Sequence, residues 1–391
     1  MTEISNRISR IDSIDALRGF AVLAILLVHC VEHFIFSVYP TSSPVWLTTI
    51  DNITSNVVFT LFAGKAYAIF ALLFGFTFYV QYTNSKNKGV DFGYRFLWRL
   101  VGLVLLATIN AAFFPGGDIL LLYAIVGVEL FIVRKLNDRV ILALAILFLI
   151  QPFELYNYIA TLVDSNYAIP QYEVGAMYEK ISEVSQNGTF WEFLKTNITL
   201  GQKASLMWAV EAGRASQTAG LFLLGLLLGR KDKFQNNPKN QQFWQNALIV
   251  SAISYVVLYS LYVMITNDYA MQAKTIGVAV DMWQKLSMTF VLVSSFMLLT
   301  NRGVAKNQIS KLAIYGRMSL TNYITQSIIG VLIFYPFGLY LSCYLGYTAS
   351  VIIAILIFFL QLNLCKWWMK THKQGPFENM WRRWTWIRFI Q

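Results

Sequence analysis

The chain has 391 residues, 57% of them hydrophobic and only 13% charged. That balance excludes a soluble domain of this length and points to a polytopic membrane protein. A net charge of +11 would suit nucleic acid, but the basic residues cluster between apolar runs, as cytoplasmic loops do, so a lipid bilayer and not nucleic acid is the expected partner.

Apolar runs of spanning length fall at 16–38, 54–82, 96–114, 118–134, 139–162, 204–229, 242–266, 276–300, 313–335 and 343–368. The expected fold is therefore all-α: a polytopic integral membrane helical bundle of about ten transmembrane helices. The run at 54–82 is long enough to tilt or to contain a break. The first run is too long for a signal peptide and lacks a small-residue cleavage site. Basic residues mark every second connection: Arg7 and Arg10, then Lys86 to Arg99, Arg134 to Arg139, Arg230 to Lys239, Arg302 to Lys311, and Lys370 to Arg388. This alternation predicts that both termini are cytoplasmic. The expected setting is a bacterial-type inner (plasma) membrane, crossed many times. The long connection 163–203 reads as one or two external amphipathic helices. The tail 370–391 alternates Trp with Arg and reads as a cytoplasmic interfacial segment. Cys30, Cys343 and Cys365 are scattered, with neither disulfide nor metal-ligand spacing, and no metal is expected. The sequence leaves a homodimer open.

Run one carries the first functional signal. Asp15, Arg18, His29, Glu32 and His33 share one helical face at about 100° per residue. Each ionisable group inside a bilayer costs roughly 2.5–3.5 kcal/mol, so such groups pair within the bundle or do chemistry. A histidine beside a carboxylate can act as a general base. The sequence does not choose between His29 and His33. Arg18 pairs with Asp15, or serves the phosphates of a donor. Lys65 either snorkels or touches substrate. Asp118, after the turn at 115–117, caps the fourth run or orients His33. Glu211 and Arg214 form either an internal pair or an anion-holding pocket wall. Tyr315, Ser319, Asn322 and Gln326 make a polar face that binds another helix or lines a cavity.

Six segments, taken in order, resemble the YeiB-like membrane family, catalogued as domain of unknown function 418: IDALRGFAVLAILLVH, AIFALLFGFTF, RLVGLVLLATINAAFFPGGDILLLYAIVG, LFLLGLLLGR, GRMSLTNYITQS and GPFENMWRRWTW. That family looks related to transmembrane acyltransferases, including the heparan-α-glucosaminide N-acetyltransferase type and the type-three sugar O-acyltransferases. Arg18 and His29 match the spacing of the type-three pattern. Many YeiB-like members carry asparagine at the His29 position, and a histidine of that family is Asn110 here.

The resemblance implies an acyltransferase moving an acyl group, most simply acetyl, from cytoplasmic acyl-CoA to a hydroxyl or amine of a sugar, glycan or lipid headgroup at the outer side. His29, His33, Glu32 and Asp118 are the expected catalytic groups. Arg18, Arg99, Asn322 and Gln326 are expected to hold the acyl-CoA, and Arg214, Glu211 and Lys65 the acceptor. The alternative is a proton-coupled transporter of a small organic solute or lipid. A haem-binding scaffold is a third reading, although two histidines four apart on one helix cannot ligate one iron from opposite sides.

Overall fold

A computed structural model describes residues 12–90, 92–114, 118–164, 166–267, 271–304 and 306–387, with the side chains of 271 and 272 excepted. Arg7, Arg10, the turn at 115–117 and Arg388, used above, lie outside them. Among the described residues the chain is helical throughout and has no strand.

Six of the ten apolar runs contain helix long and apolar enough to cross a membrane. They are α1 (Asp12–Val31); α2 (Val45–Phe62) with α3 (Ala66–Lys86); α4 (Phe92–Phe113); α13 (Pro238–Thr266); α14 (Met271–Asn301); and α17 (Tyr347–Trp368). The other four runs are interrupted. The fourth divides at Gly127 into α5 (Leu120–Val126) and α6 (Val128–Val133). The fifth gives α7 (Asp138–Leu149) and α8 (Pro152–Val163), bent by 50° at a left-handed Gln151 that precedes Pro152. The sixth gives α11 (Gln202–Glu211) and α12 (Arg214–Arg230), and the ninth α15 (Lys306–Gly316) and α16 (Ser319–Phe334). The long connection folds as α9 (Val174–Asn187) and α10 (Phe190–Thr196), the latter joined to α11 by a π-helical turn at Asn197–Gly201. The tail forms α18 (Pro376–Thr385).

α13 is highly apolar, yet only 6% of its most apolar window is buried. Ile249, Val250, Ile253, Val256 and Val257 all stand exposed. A surface of that kind belongs against lipid, and the chain is a multi-pass membrane protein.

The core forms around two close helix pairs, α3 with α12 and α1 with α15. α3 and α12 meet through Gly75 and Gly225, where a methyl group would stand 1.9 Å from the Phe222 and Leu72 carbonyl oxygens respectively. Without an aqueous driving force, membrane helices gain by such close backbone approach. α1 lies at the centre, in contact with α2, α3, α14, α15, α16 and α17.

α18 docks against α4 and α16. Trp384 stacks on Trp98 with ring centroids 4.6 Å apart, and each indole N–H donates to the other residue's carbonyl, at 3.0 and 3.1 Å. Trp381 donates to the Arg99 carbonyl at 2.8 Å. Glu378 accepts from the first amides of α16, Leu320 N at 2.7 Å and Thr321 N at 3.0 Å, and from the Thr321 hydroxyl. The tail is thus a packed element of the bundle.

Gly225→Val forces α3 and α12 apart and is expected to cost about 1–3 kcal/mol, seen as a lower melting temperature in detergent. Gly175→Ala, at a site with nothing within 4 Å, should leave it unchanged. Burial holds the Glu378 carboxyl above its ordinary range, against the opposing pull of its hydrogen bonds. A raised carboxyl contributes stability that is full below its unfolded value of about 4.3 and is lost as pH rises through the folded value. Hydrogen exchange over 376–385 should therefore speed up as pH rises beyond the intrinsic trend. Glu378→Gln should remove that extra dependence.

Candidate functional site

A cavity of about 1060 Å³ opens at the end of the bundle where the basic connections gather. Its wide part carries Arg18, Lys88, Arg99, Arg317, Arg382 and Arg383 against one carboxylate, Glu378. Further in the walls turn apolar, with Ile25, Phe70, Phe74, Leu103 and Ile119, and Tyr123 and Tyr323 also line the space. α1, α3, α4, α16 and α18 supply most of the walls.

The cations are held in distinct ways. Arg18 donates to Asp15 at 2.8 Å and to Thr77 at 2.8 Å, so its head is fixed at the cavity wall. Arg317 reaches Asp12 at 2.9 Å and Asp15 at 3.6 Å. Arg99 lies 3.3 Å above the Trp381 ring centroid and among the described residues has only a long bond to Thr385, 3.4 Å. An arginine held by an aromatic face keeps most of its donors for a ligand.

Tyr323 joins the cavity to the catalytic candidates. Its hydroxyl donates to Asp118 at 3.4 Å, and its ring centroid lies 6.2 Å from that of His29. Asp118 also caps α5, accepting from Leu120 N at 3.0 Å, as the sequence suggested, and among the described residues its second oxygen is buried without a hydrogen-bond partner. His29 sits in an aromatic cage, 4.5 Å from Phe114 and 5.5 Å from Phe34 between centroids. It is partly exposed, and among the described residues its ring makes no hydrogen bond.

The shared stripe expected on run one ends early. α1 stops at Val31, and His33, Phe34 and Ile35 all take left-handed conformations, closed by Phe34 N on His29 O. His33 therefore points elsewhere. Its Nδ1 meets the Val38 carbonyl at 2.8 Å and its Nε2 the Ser350 hydroxyl at 2.9 Å, and its ring stacks on Phe334. A carbonyl can only accept, so Nδ1 carries the proton. Both ring nitrogens are occupied in a fully buried staple between the end of α1 and α17. His33 shares no bonding partner with Asp118. Glu32 and His29 both lie within the field of the Arg214 charge.

The Glu211–Arg214 pair on one helical face does not form. The break at Gly213 separates them; Glu211 instead accepts from Tyr172 N at 3.1 Å, and Arg214 lies over Tyr67 and Trp208. Asn322 and Gln326 turn away from the cavity toward α15 and α17. Asn322 donates to the Tyr315 carbonyl at 3.0 Å, and Gln326 to the Tyr315 hydroxyl at 2.8 Å and to Gln361 at 3.1 Å. Their face binds a neighbouring helix. Lys65 is buried at the start of α3. Sequence reasoning passed over Tyr323, which lies off the polar face, and Trp381 in the tail. It also passed over Asp281 and Lys285, although two ionisable residues four apart inside an apolar run were a readable signal. Among the described residues no cluster of three or more metal-ligating side chains occurs.

A family model described as protein of unknown function (DUF418) matches residues 228–388. Almost the whole chain is similar to the uncharacterized protein YxaH of Bacillus subtilis (strain 168), 27% identical over 412 residues, which are 97% of this chain and 94% of the relative. An uncharacterized 39.9 kDa protein in the amylase 3' region of Bacillus acidopullulyticus is 25% identical over 387 residues, 97% of this chain and 94% of that one. The uncharacterized protein YeiB of Escherichia coli (strain K12) is 25% identical over 399 residues, 95% of each chain. No solved structure matches significantly. Full-length similarity to YxaH and YeiB, together with the match over residues 228–388, supports a YeiB-like protein of the DUF418 family.

Proposed function

We propose that this protein is an acyltransferase of the bacterial inner membrane, moving an acyl group, most simply acetyl, from cytoplasmic acyl-CoA to a hydroxyl or amine acceptor at the outer side. The observation that carries this reading is the cavity: a basic mouth, an apolar interior, and an inner end at Tyr323, one ring away from His29. The positive-inside rule puts that mouth in the cytoplasm.

Arg99, Arg382 and Arg383 bind the phosphates of the donor, and the tryptophans of α18 offer faces for its adenine. The apolar interior takes the pantetheine arm and acyl chain. At the inner end, His29 removes the proton of the acceptor O–H or N–H as that atom attacks the acyl carbon. The C–S bond then breaks and the CoA thiolate leaves toward the cytoplasm, where it is protonated. The Tyr323 hydroxyl, steadied by Asp118, supplies a donor to the carbonyl oxygen as charge develops there.

The broken helices favour a second reading, a proton-coupled transporter of a small organic solute or lipid, because interrupted helices line the binding sites of such proteins. The two differ in product: transport leaves the solute chemically unchanged.

Labelled acetyl-CoA supplied to the mouth side of proteoliposomes should label a lipid or glycan acceptor. His29→Ala should lower that rate by roughly 10²–10⁴-fold, the range of a general base, while binding of a non-reactive acetyl-CoA analogue persists. Arg99→Gln should instead weaken analogue binding about tenfold, a loss of one charge-assisted contact. Absence of analogue binding, or an unchanged rate in His29→Ala, rules the reading out.

A further inference from the structure

The strongest feature outside the donor cavity lies at the other end of α3 and α12. Each helix begins after a left-handed glycine, Gly64 (φ 75°) and Gly213 (φ 68°), and at each break a cation follows, Lys65 and Arg214. Neither N-terminus has a side-chain cap. The helices start side by side, so the partial positive charges of their free amides fall in one place. α14 brings a third cation. The arm of Lys285 lies over Gly64, its Cδ 2.7 Å from where a methyl group would stand. Hydrogen bonds fix the three helices to one another: the Tyr67 hydroxyl donates to Gln217, and Gln217 donates to the Met282 carbonyl at 2.7 Å.

The charges gathered here do not cancel. Lys285 pairs with Asp281. Among the described residues Arg214 has no ion pair; it lies between Tyr67 at 4.7 Å and Trp208 at 4.1 Å, and its Nε is buried without an acceptor. Lys65 is 3% exposed, and among the described residues its ammonium makes one long bond, to the Phe59 carbonyl at 3.4 Å. Three cations and two helix N-termini thus face two carboxylates, Asp281 and Glu32. Inside an apolar bundle such an excess is costly until an anion joins it. The group remains within reach of small molecules, since the Lys285 and Asp281 side chains keep 19% and 18% of their surface.

We propose that Lys65, Arg214 and Lys285 form an anion site that takes a phosphate group. Amides at helix starts and side-chain cations are the usual partners of phosphate oxygens. The site stands on this geometry. Its role, holding the phosphate of an acceptor while His29 takes the acceptor's proton, rests on the acyltransferase reading. The phosphate belongs either to an anionic lipid headgroup or to a soluble molecule.

Full-length protein in phosphatidylcholine nanodiscs is compared with Lys65→Gln/Arg214→Gln and with the charge-keeping Arg214→Lys. Native mass spectrometry after adding phosphatidylglycerol reads the headgroup source, and calorimetric titration with inorganic phosphate reads the soluble one. The wild type should retain a phosphatidylglycerol that the double variant loses, or bind phosphate about tenfold more tightly, and Arg214→Lys should keep most of the effect. Lipid retention alone assigns the site to a membrane lipid, and phosphate binding alone to a soluble ligand. Equal occupancy in wild type and a monodisperse double variant, in both arms, overturns the proposal. If the double variant aggregates, Lys65→Gln alone decides by the same criteria. An acetyl-CoA analogue titrated in parallel separates the two readings. Analogue binding with no anion effect removes this site and leaves the donor cavity; an anion effect with no analogue binding does the reverse.

Discussion

A backbone polar group inside a bilayer must find its partner within the protein, and that constraint decides where this chain can interrupt its helices. Each free helix end in hydrocarbon leaves amides or carbonyls that cost several kcal/mol if unmet. Here the ends are met by specific groups. Glu378 accepts the first amides of α16, Asp118 accepts at the start of α5, and the Tyr335 hydroxyl donates to the Phe34 carbonyl in the left-handed turn after α1. The starts of α3 and α12 have no side-chain cap and stand beside Lys65 and Arg214. Some interruptions are thus closed by the protein's own acceptors, while these two stand beside cations.

The same division organises the electrostatics. At one end, six cations line an open cavity beside Glu378, two of them, Arg18 and Arg317, paired with Asp12 and Asp15. At the other, Lys65, Arg214 and Lys285 face Asp281 and Glu32. Between them lies a layer of aromatic rings and one carboxyl: Phe114, Tyr323 and Asp118 around His29. Two anion-attracting ends separated by a thin polar partition suit a reaction whose partners arrive from opposite sides. α1 ties the ends together. Arg18 lies in the cavity wall and His29 beyond the partition, eleven residues on, which at the helical rise is about 16 Å, near half the thickness of the hydrocarbon core.

Apolar run length made the ten segments legible, because the bilayer imposes it directly. Six of them contain helix long and apolar enough to span, one of these with a break at Gly64. The interruptions were less legible. A break inside an apolar run does not change its mean hydropathy, so Gly127 and Gly213 read as ordinary small residues. The left-handed run His33 to Ile35 carries no glycine at all and is held from outside, by Tyr335 and by the two bonds to His33. Helical periodicity therefore carried His33 onto the face of His29, although the helix has already ended. Arg18, Arg99 and the Asp118 cap were readable because each rests on a local rule of charge or capping. Asn322 and Gln326 showed a polar face, but periodicity cannot say whether a cavity or another helix lies opposite.

What a sequence of this kind withholds is the partner of each polar group, and in a membrane the partner decides the role. His29 and His33 are the same residue type, four positions apart, at nearly the same depth. His33 has a carbonyl on one nitrogen and a hydroxyl on the other, so neither ring nitrogen is open to a substrate. His29 has aromatic rings around it, partial exposure, and a carboxylate within the field of a common arginine. A base must have a free lone pair facing the group it deprotonates. By that criterion the base of the proposed transfer is the histidine left unbonded, and its neighbour's full set of bonds is what fixes the turn that separates them.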